Sequence, residues 1–152
     1  MNLGKENMFS PNHNTMNMTT VDYSVAIRTV GKAGDKYIRE LQSLHNQTIK
    51  PKHIYVHLAH GFERPKEQVG MEEYVDVPKG LVHQRAAANM VEEEYVLIID
   101  DDVYFPEDAV EKMYEALQKY KADGIAPDTF PSQNMSFVSR IGAYVTNTVK
   151  RR

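Results

Sequence analysis

The sequence predicts an α/β domain built on a mostly parallel sheet. From residue 22 onward, short apolar runs alternate with amphipathic stretches. One run, Tyr95-Val96-Leu97-Ile98-Ile99, is apolar at every position, as expected of a central strand covered on both faces. The order reads β-α-β, a loop, then β-α-β-α-β, with no internal repeat.

Each element follows from local pattern. Tyr23 to Val30 is strand-like and ends at Gly31. Asp35 to Gln47 places Tyr37, Ile38, Leu41 and Leu44 on one helical face, with Asp35 positioned to cap it. Lys50-Pro51-Lys52 breaks that helix before a second strand, His53 to Leu58. A polar loop, Gly61 to Gly70, leads to a short strand, Tyr74 to Val77, stopped by Pro78. Lys79 to Met90 is alanine-rich and helical. After the apolar strand, Pro106 suits the first turn of a helix, and Glu107 and Asp108 favour its positive end. Val110, Met113, Tyr114 and Leu117 form that helix's buried stripe, Lys119 and Lys121 lie at its end, and Gly124 stops it. Ile125-Ala126 reads as the opening of a further strand before Pro127.

The chain's 152 residues suffice for one domain. Residues 1–21 differ from the rest: the first twenty hold five asparagines and four of the eight methionines, with no period, and read as a flexible extension. Residues 22–152 form the domain. A net charge of −3 gives no basic excess to suggest nucleic acid as a partner. The absence of cysteine excludes disulfides, thiolate metal sites and a cysteine nucleophile. The longest apolar run falls far short of the roughly 20 residues of a membrane span. Cytoplasmic residence is expected, or a peripheral place at the inner face of a membrane.

The apolar strand runs directly into Asp100-Asp101-Asp102. Ligands of open α/β sheets bind outside the carboxyl ends of the strands. Three adjacent carboxylates there repel one another, and a divalent cation would remove the repulsion. Oxygen-only ligands suit Mg²⁺ or Mn²⁺, held by one or two carboxylates together with substrate phosphates. A solvated acidic turn before a helix is the alternative, and the all-apolar strand and Pro106 favour the metal-phosphate site. Other carboxylate folds match less well. A receiver domain needs two acids after its first strand, where this chain has Arg28-Thr29-Val30-Gly31. A haloacid-dehalogenase-type phosphatase wants Thr or Val where Tyr104 stands, and its motif comes early. A sugar-nucleotide pyrophosphorylase needs a richer loop than Gly31-Lys32-Ala33-Gly34.

Ser24-Val25-Ala26-Ile27-Arg28-Thr29, then Leu41-Gln42-Ser43-Leu44-His45-Asn46-Gln47-Thr48, then Pro51 to Val56, resembles the opening of inverting family 2 glycosyltransferases. Lys79-Gly80-Leu81, Gln84-Arg85-Ala86, Glu94 to Asp102 and Pro106-x-x-Ala109 resemble the block that follows, including its Asp-x-Asp motif. The resemblance covers roughly residues 22–127, and the ordered series is more specific than any one motif. It implies a GT-A fold, Rossmann-like with three α/β/α layers, binding a nucleotide-diphosphate sugar with Mn²⁺ or Mg²⁺ on the diphosphate. Asp100 and Asp102 match the motif as metal ligands, Asp102 the direct one, with Asp100 or Asp101 nearer the ribose. Thr29 matches the residue beside the base, and Arg85 the arginine approaching the nucleotide. Surface or strand roles are the plain alternatives for these two.

Three departures bear on function. The family's acid after the second strand is replaced by His57-Leu58-Ala59-His60, so altered base recognition is expected, with no metal there. Arg28 stands where the family has a proline, and the family's asparagine there is absent. An inverting transfer also needs a general base, and after Asp128 the chain has no acid. No catalytic base is identified, and the domain reads as truncated after the Asp-x-Asp half. The expectation is therefore a donor-binding half, as a fragment or a short relative, of an enzyme that glycosylates a carbohydrate, lipid-linked or protein hydroxyl. A catalytically silent nucleotide-sugar-binding or assembly subunit is the alternative. In the tail, Phe137, Val138, Ile141, Tyr144 and Val145 fall at helical spacing, which suggests self-association through an apolar face.

Overall fold

The computed structural model describes residues 20–126. The expected N-terminal extension, save Thr20 and Val21, lies outside the described residues, as do the expected strand's continuation past Ala126 and the apolar spacing of the tail.

Strands β1 (Tyr23–Thr29), β2 (Ile54–Ala59), β3 (Glu72–Val77) and β4 (Tyr95–Asp100) alternate with helices α1 (Asp35–His45), α2 (Leu81–Ala86) and α3 (Ala109–Tyr120). The sheet runs β3-β2-β1-β4 and every pairing is parallel. This is the Rossmann-like α/β arrangement that the GT-A resemblance implies. From β1 the chain steps outward to β2 and β3, then crosses back to place β4 on the other side of β1. The direction of winding therefore reverses between β1 and β4, where such sheets open a ligand crevice.

Alternation builds the core. Tyr23, Val25 and Ile27 of β1 share one face and are buried with Ile54, Val56 and Ile99 beneath Tyr37, Leu41 and Leu44 of α1 and Val110 of α3. β1 is buried at every position but Arg28, because it has a strand on each side. Among the described residues no helix is long and apolar enough to cross a membrane.

Several boundaries differ from expectation. β4 lies at the edge of the described sheet, not its centre, and Ile98 is 46% exposed because no described strand flanks it there. Asp35 is the first residue of α1; Gly34 holds the cap position, with no side-chain cap. On α1 the buried face is Tyr37, Glu40, Leu41 and Leu44, with Glu40 in the place expected of Ile38. The alanine-rich stretch is α2 followed by a tighter 3₁₀ turn, Ala87–Met90, whose Ala87 and Ala88 are buried. α3 starts at Ala109, because the Pro106 carbonyl is used in a turn that accepts from the Ala109 amide. It ends at Tyr120, where Lys121 rather than Gly124 takes the left-handed cap conformation.

Candidate functional site

The carboxyl ends of β1 and β4 bring the expected residues together. Cross-strand register sets Arg28 beside Asp100 and also beside His57 of β2. The Arg28 guanidinium grips Asp100 at two points: Nε donates to Oδ1, and Nη2 donates to Oδ2 at 2.6 Å. Asp100, expected as a metal ligand beside Asp102, thus has both oxygens engaged by a side chain of the neighbouring strand. The Thr29 hydroxyl donates to Asp101 and accepts from the Gly31 amide at 2.8 Å. Asp102 is half exposed and accepts only a long contact, 3.4 Å, from Lys36 Nζ. Among the described residues, no three His, Cys, Asp or Glu side chains converge as a metal-holding group.

Arg85 lies on the exposed side of α2, close enough for its charge to act on Arg28. Burial first, and then Arg85, hold the Arg28 guanidinium below the ordinary arginine range, while Asp101 opposes them. Nη1 of Arg28 is buried without a hydrogen-bond partner. α2 itself is fastened to the sheet by Gln84, whose amide donates to the carbonyls of Thr29 (2.9 Å) and His57 (3.1 Å).

The turn after the acids is held from α1. The side-chain amide of Gln47, wholly buried, donates to the carbonyls of Ser43 (2.9 Å) and Pro106 (2.8 Å), and its oxygen accepts from the Val110 amide (3.1 Å). Ser43 Oγ accepts from the Phe105 amide at 3.1 Å, and the Thr48 amide donates to the Glu107 carbonyl at 2.7 Å. The Ser43, Gln47 and Thr48 positions of the motif therefore serve to anchor residues 105–110 behind the acid turn.

At the β2 end, His57 is buried and its imidazole is held below its ordinary pKa by burial, so it stays neutral. His60 is exposed and pairs with Asp76 at 2.8 Å. Phe62 follows, with Lys32 and Lys79 over its ring at 5.6 and 5.2 Å.

Glu40, Lys36 and the pairing role of Arg28 escaped the sequence reading. Glu40 is fully buried and neither carboxyl oxygen has a hydrogen-bond partner. Burial, then the charges of Asp101 and Asp102, push it up to about 9, with only the Val103 amide opposing. A signal for it existed: Glu40 is three residues after Tyr37 and four before Leu44, on the apolar face. For Arg28 the signal was one charge in an otherwise apolar strand.

A parallel α/β sheet thus gathers an acid turn, two arginines and a hydroxyl at its switch point. Residues 80–143 match the family model for glycosyl transferase family 2. The match takes in α2 with Arg85, β4, the acid turn and α3, and runs past the described residues. It supports a glycosyltransferase in general, which acts on a nucleotide-sugar donor and an acceptor. β1, α1, β2 and β3 precede the family 2 match, and their resemblance rests on their own motifs. No curated protein matches the chain.

Proposed function

We propose that this chain is the donor-binding half of an inverting family 2-type glycosyltransferase, which transfers a sugar from a nucleotide-diphosphate sugar to an acceptor hydroxyl. The observation that carries this reading is the convergence of Thr29, Arg28, Asp100, Asp101 and Arg85 at the β1–β4 switch point, its β4 side within the family 2 match. In a transfer of this kind, charge grows on the departing nucleoside diphosphate as the sugar–oxygen bond breaks. Arg85 and Lys36 would meet that charge, while Thr29 and Asp101 orient the nucleoside end.

The resemblance implies Mn²⁺ or Mg²⁺ held by Asp100 and Asp102. The donor set does not supply that two-carboxylate seat, because Asp100 is committed to Arg28 and only Asp102 is open. The charge compensation is therefore assigned to the side chains.

A silent nucleotide-binding or assembly role is favoured by one observation: each acid at the site already has a partner or, as in Glu40, is held neutral. None is placed to act as an acceptor base. Calorimetric titration with UDP and GDP tests the donor site, and absence of binding to both refutes it. Multiple-turnover transfer from labelled nucleotide sugars to an acceptor panel would select the enzyme over the silent subunit.

A further inference from the structure

We propose that the cations of this chain, with Arg28 at their centre, supply the positive charge against which the nucleotide diphosphate binds, so that binding does not require a divalent metal. The inference rests on the donor-site reading and concerns how that site is charged.

The case for a metal began with three adjacent carboxylates that repel one another. In the folded chain that repulsion is already relieved from within. Arg28 neutralises Asp100 through two contacts, the Thr29 hydroxyl donates to Asp101, and Lys36 stands 3.4 Å from Asp102. Charge-assisted two-point pairing of this kind is among the stronger polar contacts and fixes orientation as well as charge. A metal taking Asp100 as ligand would have to break it.

The same arrangement leaves cations short of anions. Nη1 of Arg28 is buried with no partner, although a guanidinium offers five N–H donors. Arg85 lies near enough to disfavour the charge on Arg28, and among the described residues no acid pairs with it. Lys32 and Lys79 stand over Phe62, next in sequence to the end of β1 and to the start of α2. Arg28, Arg85, Lys32, Lys36 and Lys79 thus face Asp100, Asp101 and Asp102. An excess of cations around an unsatisfied buried donor is the pattern that a bound polyanion relieves. Asp100 then acts as a positioning residue for Arg28.

The test is calorimetric titration of the full chain with UDP and with GDP, in EDTA and in Mn²⁺. Dissociation constants that agree within about threefold between the two conditions are expected. Arg28→Gln combined with Asp100→Asn keeps a neutral pair in the same place, and should weaken binding in EDTA by about tenfold or more while the circular dichroism spectrum is unchanged. Binding seen only with Mn²⁺ would overturn the inference and leave the donor site standing. Binding in EDTA that the double variant retains in full would also overturn it. No binding in either condition would remove the donor-site reading, and this inference with it.

Discussion

Arg28 of β1 and Asp100 of β4 sit side by side in the sheet and share a two-point ion pair at the place where the winding of the fold reverses. The arginine is largely buried, with 18% of its side chain exposed, against 48% for the aspartate. This pair joins the two strands that frame the site, and it determines which acids remain open.

Its energetic weight can be measured. Arg28→Gln alone leaves Asp100 without its counter-charge, and partial exposure screens the loss to about 1–2 kcal/mol. Adding Asp100→Asn should recover part of that cost. A double-mutant cycle by urea denaturation is expected to give a favourable coupling of about 1 kcal/mol; additive effects would show that the pair does not couple.

Gln47 holds the stretch behind the acid turn through three hydrogen bonds. Gln47→Ala leaves the Val110 amide and the Pro106 carbonyl without those partners in a buried place, a loss of about 2–4 kcal/mol. Hydrogen exchange should accelerate at Val110 and its neighbours before the rest of the sheet opens. Equal protection in wild type and variant would assign Gln47 no anchoring role.

The fold was legible because its signals are local. Apolar runs, Gly31, Pro51 and Pro78 mark the elements to within a few residues, and the buried face of α1 follows helical spacing. The partnering of the acids was not legible. Whether Asp100 meets a metal or a guanidinium depends on parallel register between residues 72 apart, which no local pattern encodes. The same holds for β4. An all-apolar run states that a strand can be buried, but the winding order decides that it lies at the edge of the described sheet.

Gly31 supplies a sharper steric test. Its φ of +70° is a left-handed conformation, and an added Cβ would lie 2.3 Å from the Glu63 carbonyl oxygen. Both the backbone preference and the clash oppose a side chain, so Gly31→Ala should destabilise by about 2–4 kcal/mol. Gly124→Ala, with open space around it, is the control and should change stability by less than about 0.5 kcal/mol. Similar melting temperatures for the two variants would contradict the close packing of the Glu63 loop on the end of β1.

Glu40 makes stability depend on pH in a defined direction. Burial, aided by the charges of Asp101 and Asp102, raises its carboxyl from the ordinary 4.5 to about 9 in the folded chain. The folded state thus holds a proton that the unfolded chain releases. The stability this gives is complete below the unfolded value and is lost as pH rises through the folded one, by up to about 1.4 kcal/mol per unit between them. His57 acts in the opposite sense. Its folded pKa lies below the ordinary value of 6.5, so it costs stability only as pH falls through that region. The window from about pH 7 to about pH 9 therefore isolates Glu40. Glu40→Gln keeps the shape and the neutral state but cannot ionise. Across that window the wild-type melting temperature should fall steadily, while that of the Gln variant stays nearly level and is the higher of the two at the upper end. Parallel profiles would mean that Glu40 is charged in the folded chain at neutral pH. It would then need a cationic or donor partner beneath the acid turn, and neither carboxyl oxygen has one.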